Sequence, residues 1–110
     1  MVEIREYIEE SGNSPIAEWF NSLEAMTAAR VDRRIRRMEQ GNFANSRTVG
    51  KGVRELKIDF GPGWRVYYGR DGDKVVVLLG GGSKRGQSRD IRKAQDCWSD
   101  YKARKKAMNS

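Results

Sequence analysis

Two basic residues in a predicted β-hairpin have the spacing needed to bind one phosphate group. The segments on either side of Gly61–Gly63 alternate between apolar and polar residues, as antiparallel strands do. A turn of these three residues would place Asp59 opposite Arg65 and Lys57 opposite Tyr67. Lys57 and Arg65 would then be diagonal neighbours on one face of the hairpin. The pattern is typical of either a solvated sheet surface or a site for a polyanion.

A glycine-rich basic segment, Gly80–Gly86, follows the most apolar stretch of the chain and contains Lys84 and Arg85. Glycines let backbone N–H groups approach an anion closely, and the two cations add positive charge. The segment lacks the Gly-Lys-Ser/Thr triplet of a nucleotide-binding P-loop. It therefore indicates either a flexible basic loop or a loop that contacts phosphate.

A stripe of arginines follows one side of a helix predicted from Met26 to Gln40. Its members recur at i, i+3, i+4 and i+7, without interleaved glutamates that would relieve their mutual repulsion. The stripe indicates either a solvated helix face or a surface that binds a nucleic-acid backbone. It consists of Arg30, Arg33, Arg34 and Arg37.

The composition restricts both the partners and the chemistry. The net charge is +7, from 22 lysines and arginines against 15 acidic residues, so the protein attracts nucleic acid, anionic membranes or acidic proteins. The chain has no histidine and one cysteine, Cys97, which excludes an intrachain disulfide and a Cys/His zinc site. We predict no metal and no cofactor, and any catalysis must use Lys, Arg, Tyr, Asp, Glu or backbone groups.

The length and the apolar pattern predict one cytoplasmic domain that spans residues 1–110. A chain of 110 residues is typical of a single core. The N-terminus shows no signal peptide, and the longest apolar run, Val75–Leu79, is too short to span a bilayer. We therefore expect no membrane association, and a frayed basic tail at residues 102–110.

The elements that must position these residues form the order β-α-α-β-β-β-α. Val2–Ile8 predicts a first strand, and Ser14 caps a short helix that pairs with the arginine-bearing helix as a hairpin. A short strand near Arg47–Val49 is also considered. Lys74–Leu79 is a continuous apolar strand, which is typical of a central position, and Ser88 can cap a final helix. The order predicts an α+β fold with an antiparallel sheet of about four strands.

Several conspicuous residues have plain structural explanations. The three tryptophans, Trp19, Trp64 and Trp98, each lie on an apolar stripe and are expected in the core rather than on a base-stacking surface. Cys97 adjoins one of these stripes and is expected to be inert. Asp90 falls at the start of the last helix, where an acidic residue is favoured by the helix dipole.

The ordered set of motifs resembles the RelE/ParE toxin superfamily over nearly the whole chain. The closest likeness is to the HigB-like and phage Gp49-like branch, described as addiction module killer proteins. The motifs are Arg-Glu-Leu-Lys at 54–57, Trp-Arg-Val-Tyr-Tyr at 64–68, five apolar residues at 75–79 and Gly-Gly-Ser-Lys at 81–84. The resemblance implies a small RelE-like fold and the toxin of a type II toxin–antitoxin module.

The resemblance also implies an activity without histidine. RelE-like toxins cleave mRNA in the ribosomal A site by attack of a 2′-hydroxyl on the adjacent phosphate. By position, Arg65 would hold the phosphate, Lys57 would act as base, and Lys84 or Arg85 would neutralise the leaving oxygen. Tyr67 and the arginine stripe would bind RNA or the ribosome. Trp64 precedes Arg65 where the family motif has a tyrosine.

The implied partners are mRNA, the ribosome and a cognate antitoxin, expected to be a small helix-turn-helix protein that is acidic where it covers the basic face. On this interpretation, Arg65→Ala should abolish toxicity and leave the fold intact. Two alternatives remain at this stage, because the same fold hosts both. One is a ParE-like gyrase inhibitor without nuclease chemistry, and the other is an inactive basic RNA-binding relic.

Overall fold

A computed structural model describes residues 1–109 as one five-stranded sheet with helices on both faces. The strands are Glu3–Glu6 (β1), Ser46–Thr48 (β2), Val53–Ile58 (β3), Trp64–Arg70 (β4) and Val75–Ser83 (β5). The helices are Pro15–Asn21 (α1), Ala25–Glu39 (α2) and Gln87–Met108 (α3), and a 3₁₀ turn occupies Lys84–Gly86. The predicted α+β class is confirmed.

The sheet order is β1-β5-β4-β3-β2, and β1 runs parallel to β5 while the other pairs are antiparallel. The prediction of a wholly antiparallel sheet of about four strands is therefore wrong in two respects. The short segment near Arg47 is a genuine edge strand, and the first strand pairs with the last. Alternation along a strand identifies its faces but does not identify its partner or direction, which depend on where the helices return the chain.

The predicted helical hairpin is confirmed, and local signals explain its boundaries. The Ser14 hydroxyl accepts a hydrogen bond from the Ala17 backbone N–H at 3.2 Å, and Pro15 occupies the first helical position. Helix α2 ends at Glu39, and Gly41 follows with a φ of 90°. Its N–H donates to the Met38 carbonyl at 2.8 Å, which satisfies one of the last helical acceptors.

Two hydrophobic clusters, one on each face of the sheet, hold the helices. Helices α1 and α2 cover the face that includes Leu56 and Tyr68, and α3 covers the face that includes Val53 and Trp98. Strand β5 contributes to both clusters because its alternate side chains point to opposite faces. The prediction of a central strand buried on both faces is confirmed.

The β3–β4 hairpin has a longer turn than predicted. Lys57 pairs directly with Arg65, and Glu55 pairs with Tyr67. The expected pairs, Lys57 with Tyr67 and Asp59 with Arg65, are therefore wrong by two residues. A shift of two keeps every side chain on its predicted face, because side chains alternate with a period of two. The two cations become direct cross-strand neighbours instead of diagonal ones.

The last two segments also differ from expectation. The glycine-rich segment is not a loop, because β5 continues through Ser83 and pairs with β4. Helix α3 starts at Gln87, after Gly86 rather than Ser88, and continues through Met108. The expectation of a frayed tail is therefore wrong for residues 102–108, and Ser110 lies outside the described residues. In the chain from 1 to 109, no helix is long and apolar enough to cross a membrane.

Candidate nucleic-acid interface

An open groove of about 860 Å³ runs between α1, the glycine segment of β5 and the first turns of α3. We call it the basic groove. Two tryptophan rings, Trp19 and Trp64, lie on one side, and the 3₁₀ turn and the start of α3 lie on the other. Its basic lining residues are Lys84, Arg85, Arg89 and Arg92.

The four cations of the basic groove make no close polar contacts within the described part of the chain. None of them forms an ion pair or a side-chain hydrogen bond there, whereas Arg104 and Lys105 at the far end of α3 are both paired with aspartates. Asp90 is the one acidic residue in the described lining. Four cations against one acidic residue create a positive field that attracts a polyanion.

Arg89 and Arg92 are site residues that the sequence analysis missed. Arg85, Arg89 and Arg92 recur at i, i+4 and i+7, which is the spacing that identified the arginine stripe of α2. The signal was available, but the expected helix start at Ser88 separated Arg85 from the other two. Because the 3₁₀ turn leads directly into α3, all three arginines line the basic groove.

The two tryptophans of the basic groove are partly buried and lie with their ring centroids 6.4 Å apart, tilted by 57°. The prediction that all three tryptophans are core residues holds fully for Trp98, which is 5% exposed. Trp19 and Trp64 pack on the core and also face the basic groove. Aromatic rings beside free cations are the two components that bind single-stranded nucleic acid.

The glycines of β5 allow helices to approach the sheet closely. A Cβ atom on Gly81 would lie 2.3 Å from the Trp19 ring, and one on Gly82 would lie 2.1 Å from the Asp90 carboxylate. Side chains at these positions would therefore displace both walls of the basic groove. The glycines act by making room for side chains, which the prediction of a flexible loop did not anticipate.

Arg65 is buried rather than displayed on the hairpin surface. It is 5% exposed, and its Nε lies 3.8 Å from Oε1 of Glu55, which is 2% exposed. The Glu55 carboxylate also accepts hydrogen bonds from Arg47 at 3.0 Å and from Gln87 at 2.7 Å. We call these four residues the Glu55 network. It ties β2, β3 and β4 to the start of α3.

The predicted reactive residues meet at one end of the sheet. Lys57 is exposed and pairs with Arg65, and its Nζ lies 3.6 Å from Asp59. Arg65 pairs in turn with Gly82, and its Nη1 donates to the Gly63 carbonyl at 3.2 Å. The same carbonyl accepts the Lys84 backbone N–H at 2.9 Å. Adjacent strands β3 and β4 thus place Lys57 beside Arg65, and the 3₁₀ turn that follows β5 places Lys84 and Arg85 at the same end of the sheet.

Tyr67 does not contribute to any exposed surface. It is 0% exposed, and its hydroxyl has no hydrogen-bond partner in the described structure. Burial raises its pKa well above the usual range, and the nearby Glu55 and Asp90 carboxylates add to this effect. The prediction that Tyr67 contacts RNA or the ribosome does not fit this position, because the neighbouring strands and α3 cover the ring.

The arginine stripe of α2 lies on the opposite face of the sheet from α3. The Arg30 guanidinium stacks 4.3 Å from the centre of the Phe60 ring, and Arg34 donates to the Ala44 carbonyl at 2.7 Å. The four arginines and Lys57 line a separate depression of about 250 Å³. The stripe is therefore continuous with Lys57, and it is distinct from the basic groove.

Asp90 occupies the first turn of α3, as expected for an acid favoured by the helix dipole. It also lines the basic groove, and burial raises its pKa above the ordinary aspartate value. Cys97 is buried, which raises its pKa as well, in agreement with the prediction of an inert thiol.

Comparison with known proteins identifies the family. Residues 18–98 match the family model described as "Phage derived protein Gp49-like (DUF891)". The chain belongs to the Gp49-like family. This family is associated with addiction module killer and RelE-like toxins, so the chain is a toxin–antitoxin-related protein, which implies a cognate antitoxin. The matched range includes every residue of the basic groove and the Glu55 network.

A similar protein occurs in Haemophilus influenzae (strain ATCC 51907 / DSM 11121 / KW20 / Rd). It is 40% identical over 78 residues, which cover 70% of this chain and 79% of the relative. Its description is "Uncharacterized protein". This similarity supports the family relationship and adds no activity.

Proposed function

We propose that this Gp49-like protein is a HigB-like toxin that inhibits translation by cleaving mRNA. Residues 1–110 would form a single toxin domain that acts in the cytoplasm. The observation that carries the proposal is the basic groove, where two tryptophan rings face four unpaired cations. A duplex would hide its bases from such rings, so the combination favours a single strand.

The phosphate-binding part of the proposal rests on the residues at the end of β5. Lys84 and Arg85 carry charge, and α3 begins beside them without a side-chain N-cap, although its first N–H group, that of Gln87, donates to the Lys84 carbonyl. Helix N-termini favour anions through their N–H groups and the helix dipole. A phosphate in this position would lie beside Gly63, where Arg65 also donates its hydrogen bond.

The proposed reaction is attack of a ribose 2′-oxygen on the adjacent phosphorus, with release of the 5′-oxygen of the next nucleotide. Lys57, as its neutral amine, is our candidate acceptor of the 2′-hydroxyl proton because it is exposed beside Arg65, and the departing 5′-oxygen would take a proton from water. Lys84 or Arg85 would neutralise the charge that develops on the phosphate and on the leaving oxygen. Arg65 is buried against Glu55, so it would stabilise this charge through its electrostatic field and would not bind the phosphate directly.

Such a site lacks the usual histidine acid–base pair, because the chain contains no histidine. Cleavage would then depend on a second macromolecule that positions the RNA precisely, and our candidate is the ribosome. The arginine stripe of α2 is the surface that we assign to ribosomal RNA, because it is continuous with Lys57.

The decisive experiment is induction of the protein without its antitoxin, followed by primer extension on cellular mRNA. We expect growth arrest and message cut within codons. The double variant Lys84→Ala/Arg85→Ala should restore growth, because it removes two free cations from the basic groove. Lys74→Ala/Lys106→Ala is the charge-matched control, because both lysines are exposed and lie outside the basic groove.

Two results would reject the nuclease proposal. Growth arrest with intact message and double-strand DNA breaks would instead indicate a gyrase inhibitor. Normal growth with a well-folded wild-type protein would indicate an inactive RNA-binding relic. If the control variant lost toxicity as fully as Lys84→Ala/Arg85→Ala, total charge rather than the basic groove would be responsible.

A further inference from the structure

Gln87 joins the basic groove to the Glu55 network. It is the first residue of α3, and it lines the basic groove beside the 3₁₀ turn that carries Lys84 and Arg85. Its side-chain amide donates to Oε2 of Glu55 at 2.7 Å, and its backbone N–H donates to the Lys84 carbonyl. One residue therefore connects the turn to a carboxylate that is buried in the sheet.

The two oxygens of the Glu55 carboxylate have different partners. Oε1 accepts a hydrogen bond from Arg47 at 3.0 Å and lies 3.8 Å from Nε of Arg65, whereas Oε2 accepts from Gln87. Glu55 is 2% exposed, so solvent has little access to replace a lost donor. A buried acceptor without a donor is costly, and this cost holds the Gln87 side chain against the sheet.

The turn between β5 and α3 is fixed at both of its ends. At its start, the Gly63 carbonyl accepts the Lys84 backbone N–H at 2.9 Å and a hydrogen bond from Nη1 of Arg65 at 3.2 Å. At its end, α3 has no side-chain N-cap, and its buried residues begin at Ala94, about two turns further on. Gln87 therefore supplies the side-chain hydrogen bond that ties the first turn of α3 to the sheet.

We propose that Gln87 is a positioning residue for the proposed cleavage reaction. Its bond to Glu55 fixes the 3₁₀ turn so that Lys84 and Arg85 lie where negative charge develops on the phosphate and the leaving oxygen. Such stabilisation requires charges that are in place before the reaction, and a displacement of about 1 Å can cost about a hundredfold in rate. Gln87 contributes no charge of its own and acts through the two cations. This inference rests on the proposed function.

The test compares two glutamine variants on one helix. Gln87→Met removes the amide and keeps an unbranched, flexible side chain. Gln95→Met is the matched control, because Gln95 is also half-buried on α3 and its Nε2 donates to the Val49 carbonyl at 2.9 Å, outside the basic groove. Each variant loses one hydrogen bond between α3 and the rest of the fold, so urea unfolding should show similar, small losses of stability.

Amide hydrogen exchange followed by NMR tests the anchoring without any cleavage. In Gln87→Met the Lys84 backbone N–H should exchange about tenfold faster than in wild type, because the turn opens more often. In Gln95→Met the same N–H should exchange at the wild-type rate, because the lost bond lies elsewhere on α3.

Cleavage of mRNA on programmed ribosomes tests the consequence for the reaction. With the protein in excess, the maximal single-turnover rate constant of Gln87→Met should fall at least about tenfold. The protein concentration at half-maximal rate should stay within about twofold of wild type, because both cations remain available to bind RNA. Gln95→Met should retain both values, whereas a merely structural role would lower the activity of the two variants alike.

Unchanged exchange at Lys84 in Gln87→Met would overturn the inference, and so would faster exchange with a wild-type rate constant. An equal loss of rate in Gln95→Met would also overturn it, because general stability would then be the cause. A wild-type protein that leaves the message intact would reject the proposed function and the role in cleavage with it. If wild type cuts the message and Gln87→Met cuts it equally fast, this inference alone is rejected.

Discussion

Replacing Arg65 with alanine should destabilise the fold, which changes what this variant can show about toxicity. The guanidinium group is 5% exposed, and its Nε lies 3.8 Å from the Glu55 carboxylate, which is 2% exposed. Removing one partner of a buried ion pair costs about 3–5 kcal/mol when the other charge is left uncompensated. Glu55 retains its ion pair with Arg47 at 3.0 Å and its hydrogen bond from Gln87, so we expect the lower end, about 3 kcal/mol.

Urea unfolding followed by circular dichroism measures this loss. With a slope of about 1.5 kcal/mol per molar urea, the midpoint of Arg65→Ala should fall by about 2 M. Lys57→Ala is the matched control from the opposite strand position, because Lys57 is exposed and its loss should change stability by less than about 0.5 kcal/mol.

The double variant Glu55→Gln/Arg65→Ala tests the cause. Neutralising the carboxylate should recover part of the lost stability, because no buried carboxylate charge then remains to be balanced by Arg47 alone. A midpoint for Arg65→Ala within about 0.3 M of wild type would refute the reasoning. The expectation that Arg65→Ala abolishes toxicity with an intact fold would then be reinstated, and Arg65 could be tested as directly as Lys84.

Three further predictions test the groove and the anchoring of α3. Gly81→Ala should cost about 2 kcal/mol in urea unfolding, because its Cβ would lie 2.3 Å from the Trp19 ring, and Trp19→Leu in the same chain should relieve the loss; an unchanged midpoint would contradict this contact. Hydrogen bonds from Lys105 and Tyr101 lower the pKa of the Asp71 carboxyl. The ionised carboxylate therefore stabilises the fold above the unfolded-state pKa near 3.8, and this stabilisation is lost as the pH falls through the lower pKa of the folded protein. Asp71→Asn should therefore be less stable than wild type at pH 7, and the two unfolding midpoints should converge in acid; a constant difference would argue against the ion pair. Lys84→Ala/Arg85→Ala should reduce the dependence of log affinity for single-stranded RNA on log salt by about 1.4, at about 0.7 per lost phosphate contact, and an unchanged slope in anisotropy titrations would place the phosphates elsewhere.

Local chemistry explains why part of the fold was predictable. Ser14 and Pro15 satisfy and preset the first turn of α1, and this effect depends on residues within one turn. The apolar run of β5 requires cover on both faces wherever the strand lies in the sheet. The faces of the β3–β4 hairpin were predicted correctly even though the register was not, because alternation survives a shift of two residues.

The errors concern interactions between distant segments. The identity of β5 as the partner of β1, and their parallel direction, depend on the path of two intervening helices. The glycines at 81 and 82 resembled a loop because the Trp19 ring and the Asp90 carboxylate that require them lie far away in sequence. Tyr67 resembled a surface residue for the same reason, since α3 covers its face of the sheet.

The sequence by itself determined the α+β class, the likeness to Gp49-like toxins, the absence of histidine chemistry and the excess of positive charge. These properties follow from composition, short-range periodicity and ordered motifs, which need no knowledge of distant contacts. The tertiary structure decided that Arg65 is buried against Glu55, that Arg89 and Arg92 join Lys84 and Arg85, and that Gln87 joins the basic groove to Glu55. Burial and the pairing of charges depend on which side chains pack together, and only the folded chain settles that.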